Sequence, residues 1–138
     1  MKKRILLADD DESVRRMVAR VLESAGYAVM LAGTGAEAVS RFEAVRADLV
    51  LLDLKMPDEE GWAGFEQISR VNGMAPVIVM TAWPNQYERA VRRGVDALME
   101  KPLDLPLLLQ TIHKLLADRN SSTAHLTHAG SAEPGGAA

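Results

Sequence analysis

Leu49-Val50-Leu51-Leu52-Asp53 is a run of four bulky apolar residues closed by an acid, and its reading decides the fold. A short apolar run without polar alternation fits a strand buried on both faces, as in a parallel sheet covered by helices. The pattern repeats on either side. Upstream, Ile5-Leu6-Leu7-Ala8 runs into Asp9-Asp10; downstream, Val77-Ile78-Val79-Met80 runs into Thr81. Tyr27 to Ala32 supplies a second strand in the chain, and Ala97-Leu98-Met99 a brief fifth one shortly before Lys101.

Helical patterns fill the intervals. Val14, Met17, Val18, Val21, Leu22 and Ala25 recur at helical spacing, with Arg15, Arg16, Arg20 and Glu23 on the other face and Gly26 at the end. Thr34 and Glu37 form a capping-box pattern that opens a helix with Val39, Phe42 and Val45 inward. Trp62, Phe65, Ile68 and Val71 fit a third helix, stopped by Asn72-Gly73. A short polar helix spans Gln86 to Arg93 and ends at Gly94. Asp104 then caps a helix with Leu105, Leu108, Leu109, Ile112, Leu115 and Leu116 on one face. Five strands alternating with five helices predict an α/β, doubly wound parallel sheet, since βαβ crossovers are nearly always right-handed.

The 138 residues suit one domain, and 48% hydrophobic with 25% charged residues is an ordinary globular balance. The domain is expected over residues 1–118. From residue 119 the composition turns to Ser, Thr, Ala, Gly and Pro, so 119–138 is read as a disordered tail. With no cysteine, disulfides, thiolate metal sites and cysteine nucleophiles are excluded. A net charge of −3 argues against direct nucleic-acid binding or an anionic-membrane surface. The basic Met1-Lys2-Lys3-Arg4 start precedes too short an apolar run for a signal peptide or span, so a soluble cytoplasmic protein is expected.

In open α/β sheets, ligands sit beyond the carboxyl ends of the strands. Those ends carry Asp9-Asp10, Asp53, Thr81 and Lys101. Singly, each has an ordinary explanation: a cap, a turn acid, a strand-forming threonine, a surface lysine. Jointly they bring three carboxylates together, which like charges resist without a cation. An all-oxygen, partly hydrated donor set suits Mg²⁺. An ionised carboxylate can attack phosphorus, while a metal, an ammonium and a hydroxyl spread charge on the phosphoryl oxygens. The set reads as acyl-phosphate chemistry at Asp53.

Ile5 to Asp11, Leu51-Leu52-Asp53-Leu54-Lys55-Met56-Pro57, Val79-Met80-Thr81-Ala82 and Lys101-Pro102 together resemble the receiver domain of two-component response regulators, of the chemotaxis-type single-domain kind. The resemblance covers roughly Lys3 to Ala117. It implies a flavodoxin-like five-stranded sheet in strand order 2-1-3-4-5. It makes Asp53 the phosphoacceptor, Asp10 a direct Mg²⁺ ligand, Asp9 the holder of a metal-bound water, and the Lys55 backbone carbonyl a further ligand. Thr81 becomes the switch hydroxyl, Ala82 the small residue beside the phosphate, and Lys101 the phosphate-contacting lysine. A cis Lys101-Pro102 peptide is also implied. Leu98 departs from the pattern, which has an aromatic ring at this switch position. Trp83 can shield the acyl phosphate or be an exposed loop aromatic, and Lys55 can alter its lifetime.

The resemblance further implies a phosphorelay function without enzyme activity beyond intrinsic phosphotransfer and autodephosphorylation. Expected partners are a sensor histidine kinase or histidine phosphotransfer protein and a downstream protein target or output domain. The fourth helix, fifth strand and fifth helix would form the readout face, also open to homodimerisation. Arg89, Arg92 and Arg93 cluster there and fit a solvated helix face equally well. The chain reads as a stand-alone receiver or a piece of a longer regulator. Three rival readings stand beside this one. Leu98 favours a phosphate-inert pseudo-receiver acting as an interaction module. An aspartyl-phosphatase would need an acid where Lys55 stands. A flavodoxin would need a phosphate loop where Asp9 to Glu12 stand.

Overall fold

The computed structural model describes residues 2–54, 59–118 and 127–129. The elements are β1 (Arg4–Ala8), α1 (Glu12–Ser24), β2 (Ala28–Ala32), α2 (Gly35–Ala44), β3 (Leu49–Asp53) and α3 (Glu59–Val71). They continue as β4 (Val77–Thr81), α4 (Tyr87–Arg93), β5 (Ala97–Glu100), α5 (Leu105–Asp118) and β6 (Thr127–Ala129). Adjacent strands pair in parallel in the order β2-β1-β3-β4-β5-β6. The first five strands have the expected 2-1-3-4-5 order. The sixth was not expected: Thr127–Ala129 falls in the stretch read as a structureless tail. It lies beside β5, with Leu98 opposite His128. Three residues without an apolar run give no strand signal in sequence; here the pairing is a backbone matter.

Helix starts follow the chemistry of their caps. The Asp11 carboxylate accepts the Ser13 and Val14 N–H groups at 2.9 and 3.3 Å. Thr34 Oγ1 accepts the Glu37 N–H at 3.0 Å, and Asp104 accepts the Leu107 N–H at 3.1 Å. Gly94 closes α4 with φ of 82°, a left-handed conformation that glycine adopts without a Cβ clash.

Two apolar clusters cover the two faces of the sheet. One joins Leu6, Val50, Leu52, Val79 and Leu98 to Phe42, Trp62, Phe65 and Ile68. The other joins Ile5, Leu7, Leu51, Ile78 and Met80 to Val18, Leu22, Leu108 and Ile112. β1, β3 and β4 are therefore apolar on both faces, which is why their sequences do not alternate. Met17 and Val45, expected inward, are 47% and 44% exposed. Met17 lies at the margin of the α1 stripe, and Val45 lies beyond the last turn of α2 with extended backbone.

Candidate functional site

The three acids meet beyond the carboxyl ends of β1 and β3. One ligand atom each from Asp9, Asp10 and Asp53 lies within 4.8 Å of the others. Asp9 is buried and Asp10 exposed, so the group spans the wall and the mouth of a pocket. β1 and β3 are register neighbours, with Ala8 opposite Leu52, which brings their terminal acids side by side.

Lys101 lies between the two inner carboxylates. Its Nζ donates to Asp9 Oδ2 at 2.9 Å and pairs with Asp53 Oδ1 at 3.1 Å. Its backbone N–H bonds the Thr81 carbonyl at 2.8 Å, and the following Lys101-Pro102 peptide is cis, as expected. Asp9 uses its second oxygen as well, accepting the Asp11 N–H at 2.9 Å.

Burial and the neighbouring charges both shift the acidity of these groups. Burial, with help from the Asp9 charge and against the pull of Lys101, raises Asp53 to about 6. Burial works against the charge on Lys101, but Asp9 and Asp53 outweigh it and hold the ammonium above the usual lysine range.

Thr81 is fully buried, and its Oγ1 accepts the Trp83 N–H at 3.0 Å. The hydroxyl proton remains to be donated to another group. Trp83 is 46% exposed, so much of its surface meets water. Val79 pairs with Leu98 and Thr81 with Glu100, which puts Thr81 and the wholly buried Leu98 on one face of the sheet. Lys55 and its carbonyl lie outside the described residues.

A cavity of about 270 Å³ extends from Asp9, Asp10 and Asp53 to Gly33, Thr34 and Gly35 at the start of α2. Carboxylate oxygens of this number and hardness fit Mg²⁺. Asp10 and Asp53 can coordinate directly, while Asp9, already bonded through both oxygens, suits an outer role through water.

Two arginines make contacts that helical periodicity does not show. Arg15, assigned to the polar face of α1, is half-buried and donates to the Asp9 carbonyl at 2.8 Å. Arg93, for which a readout cluster and a solvated face of α4 were equal expectations, places its guanidinium 5.3 Å from the Trp62 ring centroid and pairs with Glu66 at 3.4 Å. Long side chains lean back toward the preceding turn of a helix, and that lean is the signal that could have found Arg15.

A family model described as the response regulator receiver domain matches residues 5–113. The chain belongs to this family. Among relatives, the transcriptional regulatory protein ZraR of Salmonella typhimurium is 33% identical over 133 residues, 95% of this chain and 30% of that protein. Response regulator MprA of Mycobacterium bovis is 36% identical, over 84% of this chain and 51% of that protein. The receiver domain here thus spans about a third to a half of these relatives. A CheY-like receiver domain protein from Methanospirillum hungatei superposes with a TM-score of 0.81 at 29% identity, covering 89% of this chain and 100% of that one. Vibrio cholerae CheY4 gives 0.74 at 26% identity, covering 83% and 98%. As a response regulator receiver, the domain serves two-component signalling. Among the described residues, no helix is long and apolar enough to cross a membrane.

Proposed function

We propose that this receiver domain is a phosphorylation-dependent switch in which Asp53 accepts a phosphoryl group from a phosphohistidine on a sensor kinase or phosphotransfer protein. The observation that carries this is the Lys101 ammonium set between Asp53 and Asp9 at 3.1 and 2.9 Å, with Asp10 within reach of the same centre.

Asp53 must be ionised to attack. Burial raises its pKa to about 6, and the Lys101 ammonium beside it favours the ionised form that attack needs. An Asp53 oxygen bonds phosphorus as the donor's P–N bond breaks, and the imidazole leaves with that electron pair. Lys101 already touches the attacking carboxylate and is placed to follow the phosphoryl oxygens. Mg²⁺ held by Asp10, Asp53 and the Lys55 carbonyl, with Asp9 on a bound water, would supply charge neutralisation for donor and acceptor.

Thr81 then donates its hydroxyl to the new phosphoryl group, and Leu98, on the same face, repacks. The consequence reaches α4, β5 and α5, the face on which a downstream target, an output domain or a second copy would dock. The switch acts in the cytoplasm and has no enzymatic role beyond its own phosphotransfer and dephosphorylation.

Incubation with phosphoramidate and Mg²⁺, read by intact mass, tests this. The expected result is a gain of one phosphoryl group, lost in Asp53→Asn and on chelation. No gain with any donor would instead favour the phosphate-inert interaction module that Leu98 suggests.

A further inference from the structure

Arg15 belongs to no part of the chemistry described above, yet it touches two walls of the pocket. Its Nη1 donates to the backbone carbonyl of Asp9 at 2.8 Å. It also stands so close to the turn between β2 and α2 that a Cβ on Gly33 would meet it at 3.4 Å. Gly33 is held in turn, its N–H bonded to the Glu37 carboxylate at 2.6 Å, and it lines the same cavity as Asp9 and Asp53.

Asp9 is consequently tethered in three directions. Lys101 pulls one carboxylate oxygen toward β5, the Asp11 N–H holds the other, and Arg15 holds the carbonyl from the α1 side. That carbonyl belongs to the peptide joining Asp9 to Asp10, so its orientation sets the direction in which both side chains leave the backbone. Without an anchor there, the peptide can rotate and spread oxygens that now lie within 4.8 Å.

We propose that Arg15 is a positioning residue for divalent-cation binding: it fixes the Asp9-Asp10 turn against the Gly33 turn and thereby holds the acid pair in a metal-ready geometry. The proposal rests on reading Asp9 and Asp10 as metal-binding groups. Arginine suits the task because its planar fork is pre-organised, and the same Nη1 that bonds the carbonyl stands beside a residue with no Cβ to displace it. Groups that orient metal ligands without touching the metal commonly matter for affinity.

The test is calorimetric titration of Mg²⁺ into the full chain and into Arg15→Met and Arg15→Lys variants, with a thermal melt of each without metal. Arg15→Met is expected to bind Mg²⁺ roughly tenfold more weakly at a near-unchanged melting temperature. Arg15→Lys, which keeps one donor but not the planar fork, should bind about threefold more weakly than the parent. A structural role alone would lower the melt and leave the affinity in place. Parent-like binding by Arg15→Met overturns the proposal while leaving the metal site standing. Failure of the parent itself to bind Mg²⁺ overturns the reading of the site and the proposal together. Should Arg15→Met not fold, Arg15→Lys decides: a weakening of about threefold supports the anchor, and parent affinity refutes it.

Discussion

The pocket at the ends of β1 and β3 and the relay between β4, β5 and α4 lie in one sheet but are held by opposite means. In the pocket the contacts are charged: Lys101 against Asp9 and Asp53, Arg15 against the Asp9 carbonyl. In the relay, Leu98 is wholly buried in an apolar cluster with Val79, Ala90 and Trp62, and α4 is tied back by Arg93 over the Trp62 ring. Charge gives direction and fixed distances; apolar packing gives volume and tolerates more than one rotamer. Chemistry at the pocket is thus specified atom by atom, whereas the proposed response would travel through shape.

The largest effect should come from removing the cation of the pocket. Lys101→Ala is expected to slow phosphorylation by about 10²-fold, from loss of charge stabilisation at the phosphoryl oxygens. It should also destabilise the fold by about 2 kcal/mol or more, because buried Asp9 loses its ionic partner. Phosphotransfer kinetics and urea denaturation read the two parts, and parent-like rates would show that the pocket does not depend on charge in this way.

Next in size is the acceptor's own effect on stability. Asp53 carries a raised folded-state pKa, so the folded protein binds its proton more tightly than the unfolded chain does. Its contribution is therefore favourable at low pH and is lost as pH rises from about 4 through about 6. Metal-free Asp53→Asn should be more stable than the parent by about 2 kcal/mol at pH 7.5, with the gain fading toward pH 4. Mg²⁺ should stabilise the parent and leave the variant nearly unmoved. An Asp53→Asn protein less stable at neutral pH would reverse the sign argued here.

On the relay side, Leu98→Tyr forces a ring into a full cluster and should cost about 1–3 kcal/mol. Phosphorylation should persist while affinity for a partner of the α4–β5–α5 face changes; an unchanged affinity would remove Leu98 from the relay. Arg93→Ala should have the smallest effect, about 1 kcal/mol, from a cation–aromatic contact and a half-exposed ion pair. A red shift of Trp62 emission in a Trp83→Phe background would report the loosening of α4, and an unmoved spectrum would show that Arg93 does not hold it.

The same contrast explains what could be read in advance. Asp9, Asp10, Asp53, Thr81 and Lys101 were legible because each ends or follows an apolar run, and a parallel sheet sends those ends to one edge. The five-strand order came with the resemblance to receiver domains that those strand-end motifs carry. Arg15 and Arg93 escaped because periodicity assigns a polar residue to water and says nothing of where a long side chain lays its end. Met17 and Val45 erred the other way, being apolar residues at the margin of a stripe or beyond a helix end. Strand β6 was invisible because its partner is the backbone of β5 and its own residues carry no pattern.

The most direct test of the central claim is to locate the phosphoryl group. Phosphoramidate-treated protein with Mg²⁺ is reduced with borohydride, which converts an aspartyl phosphate to homoserine, and the peptides are then sequenced by mass. Homoserine is expected at position 53 and at no other aspartate. Unreduced Asp53 beside a phosphorylated protein, or homoserine at Asp9 or Asp10 instead, would contradict it.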